Sequence, residues 1–368
     1  MKNELWKNYY TDNTKTEEID GRQVISVFSN VEDEYNIIRT DNAFIDGSGY
    51  AIVKVTGDGA VSFLDALATK DIQFLNIDTL AECLFLNDDA KALGAVWVVR
   101  GDEDYYAVIP PESAKAVLTW MDEKKPDDVE LENVDETKAL IFVEGRKAWK
   151  IVQEVLSVDV NAIPFRGVQE IADYKGSQLL LARIGRTGEY GYMVMGDAQG
   201  IETFVKEGFE FAKGAGLKLE FCGSQAEEIC MIETRQPNFR YENADAGNVF
   251  ELCQQWLIQF EKEGYFGADA LKESFAGELA AESVGFACKD NIEIPSGAKI
   301  FLDDEEIGTV VYAKKSPKAE ATLGIAKLNL DYAVSGIVLS VDADGAKHEI
   351  ETISSPFVRP MSWDEKME

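Results

Sequence analysis

The strongest candidate for chemistry in this chain is the segment 184–192, which reads Ile-Gly-Arg-Thr-Gly-Glu-Tyr-Gly-Tyr. Apolar runs flank it, and its glycines favour a tight turn between two strands. A carboxylate held on such a turn, that of Glu189, can accept two parallel N–H bonds from an amidine-like edge such as that of a pterin. The same pattern is typical of a plain hairpin turn with an exposed glutamate, so both interpretations stay open.

Two further segments combine polar side chains with regularly spaced apolar residues. The segment 221–235 predicts a helix that buries Ala226, Ile229 and Cys230 and presents Glu227 as a polar residue, a pattern that a solvated helix face explains. The segment 250–260 predicts an amphipathic helix or strand edge, and core packing explains it equally well. Lys314 and Lys315 mark a turn or attract an anionic group in an otherwise acidic chain.

Charge and composition exclude several classes of protein. There are 36 basic and 67 acidic side chains, and a net charge of −31 repels phosphate backbones and anionic membranes, so we expect neither a nucleic-acid nor a membrane partner. The five cysteines are scattered without a CxxC pair, and His348 is the only histidine, which argues against zinc sites and histidine-based nucleophilic catalysis. We place His348 in a hairpin turn. The polar N-terminus lacks an apolar signal region, so we expect a cytoplasmic protein.

The 368 residues suit two or three packed units. Two blocks of strands and helices follow each other in a similar order, which indicates two related α+β subdomains with a break near 125–138. Residues 22–38 are expected as a strand and 249–263 as a helix. Short strands separated by turn signals follow from about residue 284 and predict a small β-barrel. We therefore divide the chain into 1–275 and 276–368.

Several colinear motifs together resemble the aminomethyltransferase, or glycine-cleavage T-protein, family, which includes tetrahydrofolate-dependent demethylases. Each motif is weak alone, and their shared order over nearly the whole chain carries the resemblance. The matching segments are Ile38-Arg39-Thr40, residues 43–48, Val55-Thr56-Gly57, Phe63-Leu64, residues 69–72, Leu86-Asn87, residues 185–191, Cys222-Gly223 with Glu233, Glu251 with Trp256, residues 266–271, Ser316-Pro317 and Leu323-Gly324. The resemblance implies two interlocked α+β folate-binding-type subdomains plus a C-terminal β-barrel, with folate in a central funnel.

The chain also departs from the family pattern at positions where the family has functional groups. Gly94-Ala95 stands where the family has an Asp-Asp pair, one member of which assists one-carbon transfer. Gly49 replaces a histidine and Glu82 a pocket tyrosine. Glu227 replaces an arginine expected to meet the folate tail, and Arg186 replaces a tyrosine. Classical glycine cleavage is therefore not the activity we expect.

Two functions follow from the resemblance. The first is a tetrahydrofolate-dependent methyl or one-carbon transferase acting on a small molecule, with Glu227 or Glu82 doing the acid–base work. Glu189 would orient the pterin, while the remaining cofactor-binding positions would be Arg186, Tyr190, Tyr192, Asn87 and Trp97. The second is a family member that holds folate or another ligand without turnover, or serves as an enzyme subunit. The partner expected in the first case is a small-molecule one-carbon donor, and the sequence identifies no protein partner.

Overall fold

The structure is a computed structural model that describes residues 5–101, 104–242, 249–277 and 279–367. Its first third forms a hairpin and an antiparallel five-stranded sheet, in the strand order β5-β6-β7-β4-β8. The elements are β1 (Lys15–Ile19), β2 (Arg22–Val27), α1 (Val31–Thr40), β3 (Asn42–Asp46), β4 (Ala51–Thr56), α2 (Ala60–Leu67), β5 (Thr79–Leu86), β6 (Ala92–Arg100), β7 (Tyr105–Ile109), α3 (Pro111–Lys124) and β8 (Glu130–Asn133). Helices α2 and α3 supply apolar side chains to the cluster that covers one face of this sheet.

The middle third completes a six-stranded sheet in the order β10-β11-β12-β9-β3-β13. Its elements are β9 (Lys138–Gly145), α4 (Ala148–Leu156), β10 (Val168–Tyr174), β11 (Ser177–Ala182), β12 (Gly191–Asp197), α5 (Ala198–Ala215), β13 (Glu220–Cys222) and α6 (Ser224–Thr234). Strand β3 comes from the first third, yet it pairs with β9 and, in parallel, with β13. The two sheets are therefore interlocked by the chain, as the family resemblance implied.

The last third forms a closed barrel with the strand order β14-β17-β16-β15-β18-β19. Two helices precede it, α7 (Phe239–Glu242) and α8 (Ala268–Ala276). The strands are β14 (Ala281–Cys288), β15 (Lys299–Leu302), β16 (Glu305–Ser316), β17 (Ala321–Asn329), β18 (Val338–Ala343) and β19 (Ala346–Ile353). The predicted fold class, α+β with a C-terminal barrel, is confirmed. No helix in the described parts of the chain has the length and apolar character that crossing a bilayer requires.

Three local expectations were wrong. Residues 31–40 form helix α1 rather than the second half of a strand, because Asn30 caps the backbone N–H groups of Glu32 and Asp33 and a helical spacing buries one face. The segment 249–263 is a series of turns with one short 3₁₀ helix, Gln255–Leu257, since its apolar side chains pack in a cluster of their own. His348 lies within strand β19, opposite Val341, and its Nδ1 is 2.8 Å from an Asp290 oxygen.

The elements meet at a buried ionic cluster, which we call the Arg39 cluster: Arg39, Glu189, Glu233 and Tyr35. The Arg39 guanidinium lies 2.9 Å from Glu189 and 2.6 Å from Glu233, and all three side chains are almost fully buried. Tyr35 donates a hydrogen bond to the other Glu233 oxygen, as does Ser316 from the barrel. The cluster therefore joins α1, α6, the turn before β12 and the barrel strand β16.

We expect Arg39→Ala to destabilise the protein by roughly 3–5 kcal/mol, because it leaves two buried carboxylates without their counter-charge. Urea unfolding at pH 7 measures this loss. Arg359→Ala provides the control, since Arg359 and Asp364 form an exposed pair, with side chains 62% and 73% exposed, that contributes at most about 1 kcal/mol. A loss in Arg39→Ala no larger than in the control would contradict the role given to the cluster.

Candidate functional site

A small cavity lies among the N-terminal hairpin, the loop before β4, the start of α3, the 185–189 turn and helices α6 and α7; we call it the central cavity. Its volume is about 30 Å³, which is room for one or two water molecules. Residues that line it include Asp46, Tyr50, Glu112, Arg186, Glu227, Glu228 and Arg240 on the polar side and Ile19, Val24, Ile25, Ile45 and Met231 on the apolar side. The cavity is therefore lined by two kinds of side chain, and by residue type alone we call the charged and polar set the ionic wall and the other set the apolar wall.

Arg186 reaches this cavity because hydrogen bonds to Glu144 fix the backbone of its turn. The buried Glu144 carboxylate accepts hydrogen bonds from the backbone N–H groups of Arg186 and Thr187 and from the Thr187 hydroxyl. The Arg186 side chain then donates to the Tyr50 hydroxyl at 2.9 Å and to Glu112 at 2.7 Å. Burial opposes its charge, but Glu112 and the other nearby acidic groups raise the pKa of Arg186 above its ordinary value.

Glu227 presents a carboxylate whose Oε1 has no hydrogen-bond partner among the described residues. It lies in the first turn of α6, is 6% exposed and lines the central cavity. Burial raises its pKa to about 7, the negative charges of Glu144, Glu112 and Glu228 add to the rise, and Arg186 opposes it. Glu227 can therefore give up or take a proton near neutral pH, as an acid–base group must.

Trp97 lies behind the cavity rather than in its wall. Its indole stacks on the Tyr50 ring at a centroid distance of 5.8 Å and an interplanar angle of 18°. Tyr50 lines the cavity and accepts a hydrogen bond from Arg186. A movement of Arg186 would therefore alter the environment of the Trp97 indole through the Tyr50 ring. Of the residues singled out from the sequence, the structure brings Arg186, Glu227 and Trp97 together.

Glu189 is three residues from Arg186 but its carboxylate is not among the groups that line the cavity. One oxygen accepts from Arg39 and from the Met361 backbone N–H at 3.0 Å, and the other accepts from the Ser362 backbone N–H at 2.7 Å. The turn is buried rather than splayed into solvent. In this conformation Glu189 holds the C-terminal segment in place, and the pterin-binding role predicted for it stays a prediction.

The four other predicted positions lie elsewhere. Glu82 on β5 is paired with Arg166 at 2.7 Å. Asn87 shapes the turn between β5 and β6, where its side chain accepts from two backbone N–H groups. Tyr190 donates to the Glu365 carbonyl, and Tyr192 is buried in the core of the six-stranded sheet. None of them is among the cavity's lining residues, and their proposed roles also stay predictions.

Gly94 occupies a position without space for a larger side chain. A Cβ atom placed there would lie 2.3 Å from both Cβ and Oγ of Ser113 on helix α3. Atoms that are not bonded cannot approach so closely. Helix α3 therefore leaves no space for a side chain at Gly94, one of the two positions where the resemblance places the Asp-Asp pair.

Sequence reasoning missed Tyr50, Glu112, Asp46 and Glu144. Glu112 had a visible signal, since it follows Pro110-Pro111 at the start of a predicted helix, and Asp46 lies in the 43–48 segment that resembles a family motif. Tyr50 lies in the loop between β3 and β4 and Glu144 lies inside β9, where nothing in the local pattern separates them from structural residues.

Comparison with known proteins agrees with this architecture. The family model of the GCVT N-terminal domain matches residues 6–262, and that of the glycine cleavage T-protein C-terminal barrel domain matches residues 282–359. The chain belongs to the glycine cleavage T-protein family. It is 26% identical over 332 residues to an aminomethyltransferase of Alkaliphilus oremlandii, covering 90% of each chain. Against an aminomethyltransferase of Geobacillus thermodenitrificans it is 25% identical over 357 residues, covering 96% of this chain and 97% of the relative.

The fold of this T-protein family member is similar to a solved structure. The crystal structure of glycine cleavage system aminomethyltransferase T from Bartonella henselae superposes with a TM-score of 0.85, covering 97% of each chain at 19% identity. At that identity the likeness shows the fold alone. The chain is therefore a divergent family member, as the sequence predicted.

Glu227→Gln should change how stability depends on pH. The folded protein keeps the Glu227 proton between the usual pKa of 4.5 and about 7, whereas the unfolded chain has released it, so stability falls as pH rises through this window. The variant has no such loss. Its stability relative to the parent protein should therefore rise by on the order of 2–3 kcal/mol between pH 5 and pH 8.

Urea unfolding at these two pH values measures the difference. Glu263→Gln is the matched control. Glu263 is 78% exposed, and Lys272 lowers its pKa, so its carboxyl does not titrate between pH 5 and pH 8. A stability difference between Glu227→Gln and the parent protein that is the same at pH 5 and pH 8 would refute the raised pKa.

Gly94→Asp is expected to destabilise this T-protein family member by roughly 1–3 kcal/mol, since the new side chain collides with Ser113. Combining it with Ser113→Gly removes the colliding atoms. The double variant should therefore lose less than the sum of the two single variants, with a coupling of at least about 0.5 kcal/mol in urea unfolding. Strictly additive losses would show that α3 does not block this position.

Proposed function

We propose that the chain catalyses tetrahydrofolate-dependent transfer of a methyl or other one-carbon unit from a small molecule, in a form other than classical glycine cleavage. The observation that carries the proposal is Glu227, a buried carboxyl that lines the central cavity with a pKa raised to about 7 by burial. Such a group can accept a proton from an attacking nitrogen or return one to a leaving group.

The family supports the class of reaction. Curated relatives that span nearly the whole chain are named aminomethyltransferases, and the central cavity lies between the two sheet-forming lobes. Arg186 and Tyr50 would orient a polar ligand there, because both are held in place by further hydrogen bonds. Holding reactants in fixed positions can by itself supply much of a rate enhancement.

Tetrahydrofolate does not fit the cavity as it stands. A volume of about 30 Å³ is far below that of a pterin ring, and Glu189 already accepts from Arg39 and two backbone N–H groups. Binding of the folate would require the side chains that line the cavity to move apart, and we derive no reaction step through the folate.

The second candidate is a family member that binds a ligand without turnover or serves as an enzyme subunit. Gly94 favours it. The resemblance places an Asp-Asp pair at Gly94-Ala95, one member of which assists transfer, and here helix α3 leaves no space for a carboxylate at Gly94. Loss of electrostatic help at a reacting centre typically lowers a rate by about a hundredfold to a thousandfold.

Titration with tetrahydrofolate, followed by tryptophan fluorescence, tests the shared part of both candidates. We expect saturable quenching, because Trp97 stacks on the cavity residue Tyr50. Product formation separates the candidates: methylated amines, ethers and sulfonium compounds are offered with tetrahydrofolate, and methyltetrahydrofolate is measured by mass spectrometry. Turnover supports the transferase, and quenching without any product supports the binder.

Glu227→Gln should lower such turnover by about a hundredfold, the range typical of a lost acid–base group, whereas Glu263→Gln on the exposed surface should not change it. Glu189→Ala tests the remaining prediction, since it should weaken folate binding only if that carboxylate meets the pterin. Absence of quenching at high micromolar tetrahydrofolate would exclude both folate-based functions.

A further inference from the structure

The ionic wall of the central cavity carries more negative than positive groups. Four carboxyl side chains line it, those of Asp46, Glu112, Glu227 and Glu228, against the two guanidinium groups of Arg186 and Arg240. An anionic ligand would meet this excess of carboxylates in a partly enclosed space, where charges interact more strongly than in water. The charge of the cavity therefore favours a cation.

Both arginines are already paired. Arg186 bonds to Glu112 at 2.7 Å, and Arg240 lies 3.2 Å from Glu228 and 2.9 Å from Glu17. Glu228 also bonds to Lys314 at 2.6 Å. Neither arginine is therefore available as the main partner of an incoming anion.

Glu227 is the exception among the glutamates of this wall. It is 6% exposed and its Oε1 atom is buried without a hydrogen-bond partner among the described residues. A buried polar atom that is left unpaired costs free energy, which a donor from a ligand would recover. The unpaired oxygen thus marks a place in the cavity for an N–H group.

Apolar side chains also line the cavity. Val24 and Ile25 from β2 and Met231 from α6 line it, together with Ile19 and Ile45. A methyl group would remove part of this surface from water, whereas a purely ionic ligand would leave it uncovered. The two kinds of side chain together suit a small molecule that combines a charged N–H donor with a small alkyl group.

We propose that the central cavity binds a small protonated amine of the methylammonium class, with its N–H group on the Glu227 carboxylate and its methyl group on the apolar wall. Two heavy atoms are within the size that about 30 Å³ admits. The inference rests on the function proposed above in that it names the substrate class of the same cavity. It makes Glu227 the residue that selects amines over carboxylates.

Titration of the folded protein with methylammonium chloride at pH 8, without folate, tests the proposal. Tryptophan fluorescence reports binding through the Tyr50–Trp97 stack, and potassium chloride at equal ionic strength gives the baseline. We expect saturable binding of methylammonium and none of acetate. Tetramethylammonium, a cation without an N–H donor and larger than the cavity, should not bind either.

Variants locate the site. Glu227→Gln should weaken methylammonium binding about tenfold or more, as loss of a charge-assisted hydrogen bond implies, and Glu227→Arg should abolish it. Glu263→Gln, whose side chain is exposed, should bind like the parent protein. Nuclear magnetic resonance of the parent protein with methylammonium or acetate supplies the comparison of ligands without any substitution at Glu227.

Three results would overturn the proposal: a response no larger than that to potassium chloride, tighter binding of acetate than of methylammonium, or unchanged affinity in Glu227→Gln. None of these depends on tetrahydrofolate. If the protein binds methylammonium but not tetrahydrofolate, this inference holds and the transferase function fails. If it binds tetrahydrofolate but not methylammonium, this inference fails and the proposed function is unaffected.

Discussion

The fold depends on one buried guanidinium. Arg39 lies between Glu189 and Glu233, both of which are removed from water. Two buried carboxylates without a counter-charge would be costly enough to offset much of the stability of a domain. Arginine suits this position because its planar guanidinium can donate to several acceptors at once, and here it also reaches the carbonyl oxygens of Thr187 and Cys230.

The two charged residues of the 185–189 turn have different partners. Glu189, at one end of the turn, points to Arg39 and to the backbone of residues 361–362, so it fixes the end of the chain against the lobes. Arg186, at the other end, points to Tyr50 and Glu112 in the central cavity. Glu144 accepts hydrogen bonds from the backbone of this turn, so the positions of Glu189 and Arg186 are fixed relative to each other.

The polar side chains that line the central cavity, such as Arg186, are fixed in position by hydrogen bonds to neighbouring residues. Among the described residues, Glu227 presents a buried carboxylate oxygen, Oε1, that has no hydrogen-bond partner. A side chain at Gly94 would meet Ser113 of α3, so packing as well as charge distinguishes this position from an acidic residue.

The amino-acid sequence by itself determined the fold class, the barrel and most strands, because alternating apolar residues between turn signals leave few other arrangements. It also pointed to Arg186 and Glu227. It misjudged residues 31–38 because apolar residues in short runs suit strand and helix alike, and the Asn30 cap decided for the helix. The roles of Glu189 and Tyr50 were decided only by the tertiary structure. Glu189 meets partners 150 and 172 residues away, and Tyr50 meets Arg186 136 residues away. Whether a carboxylate binds a ligand or holds the chain together depends on which distant groups reach it first, and no local pattern records that.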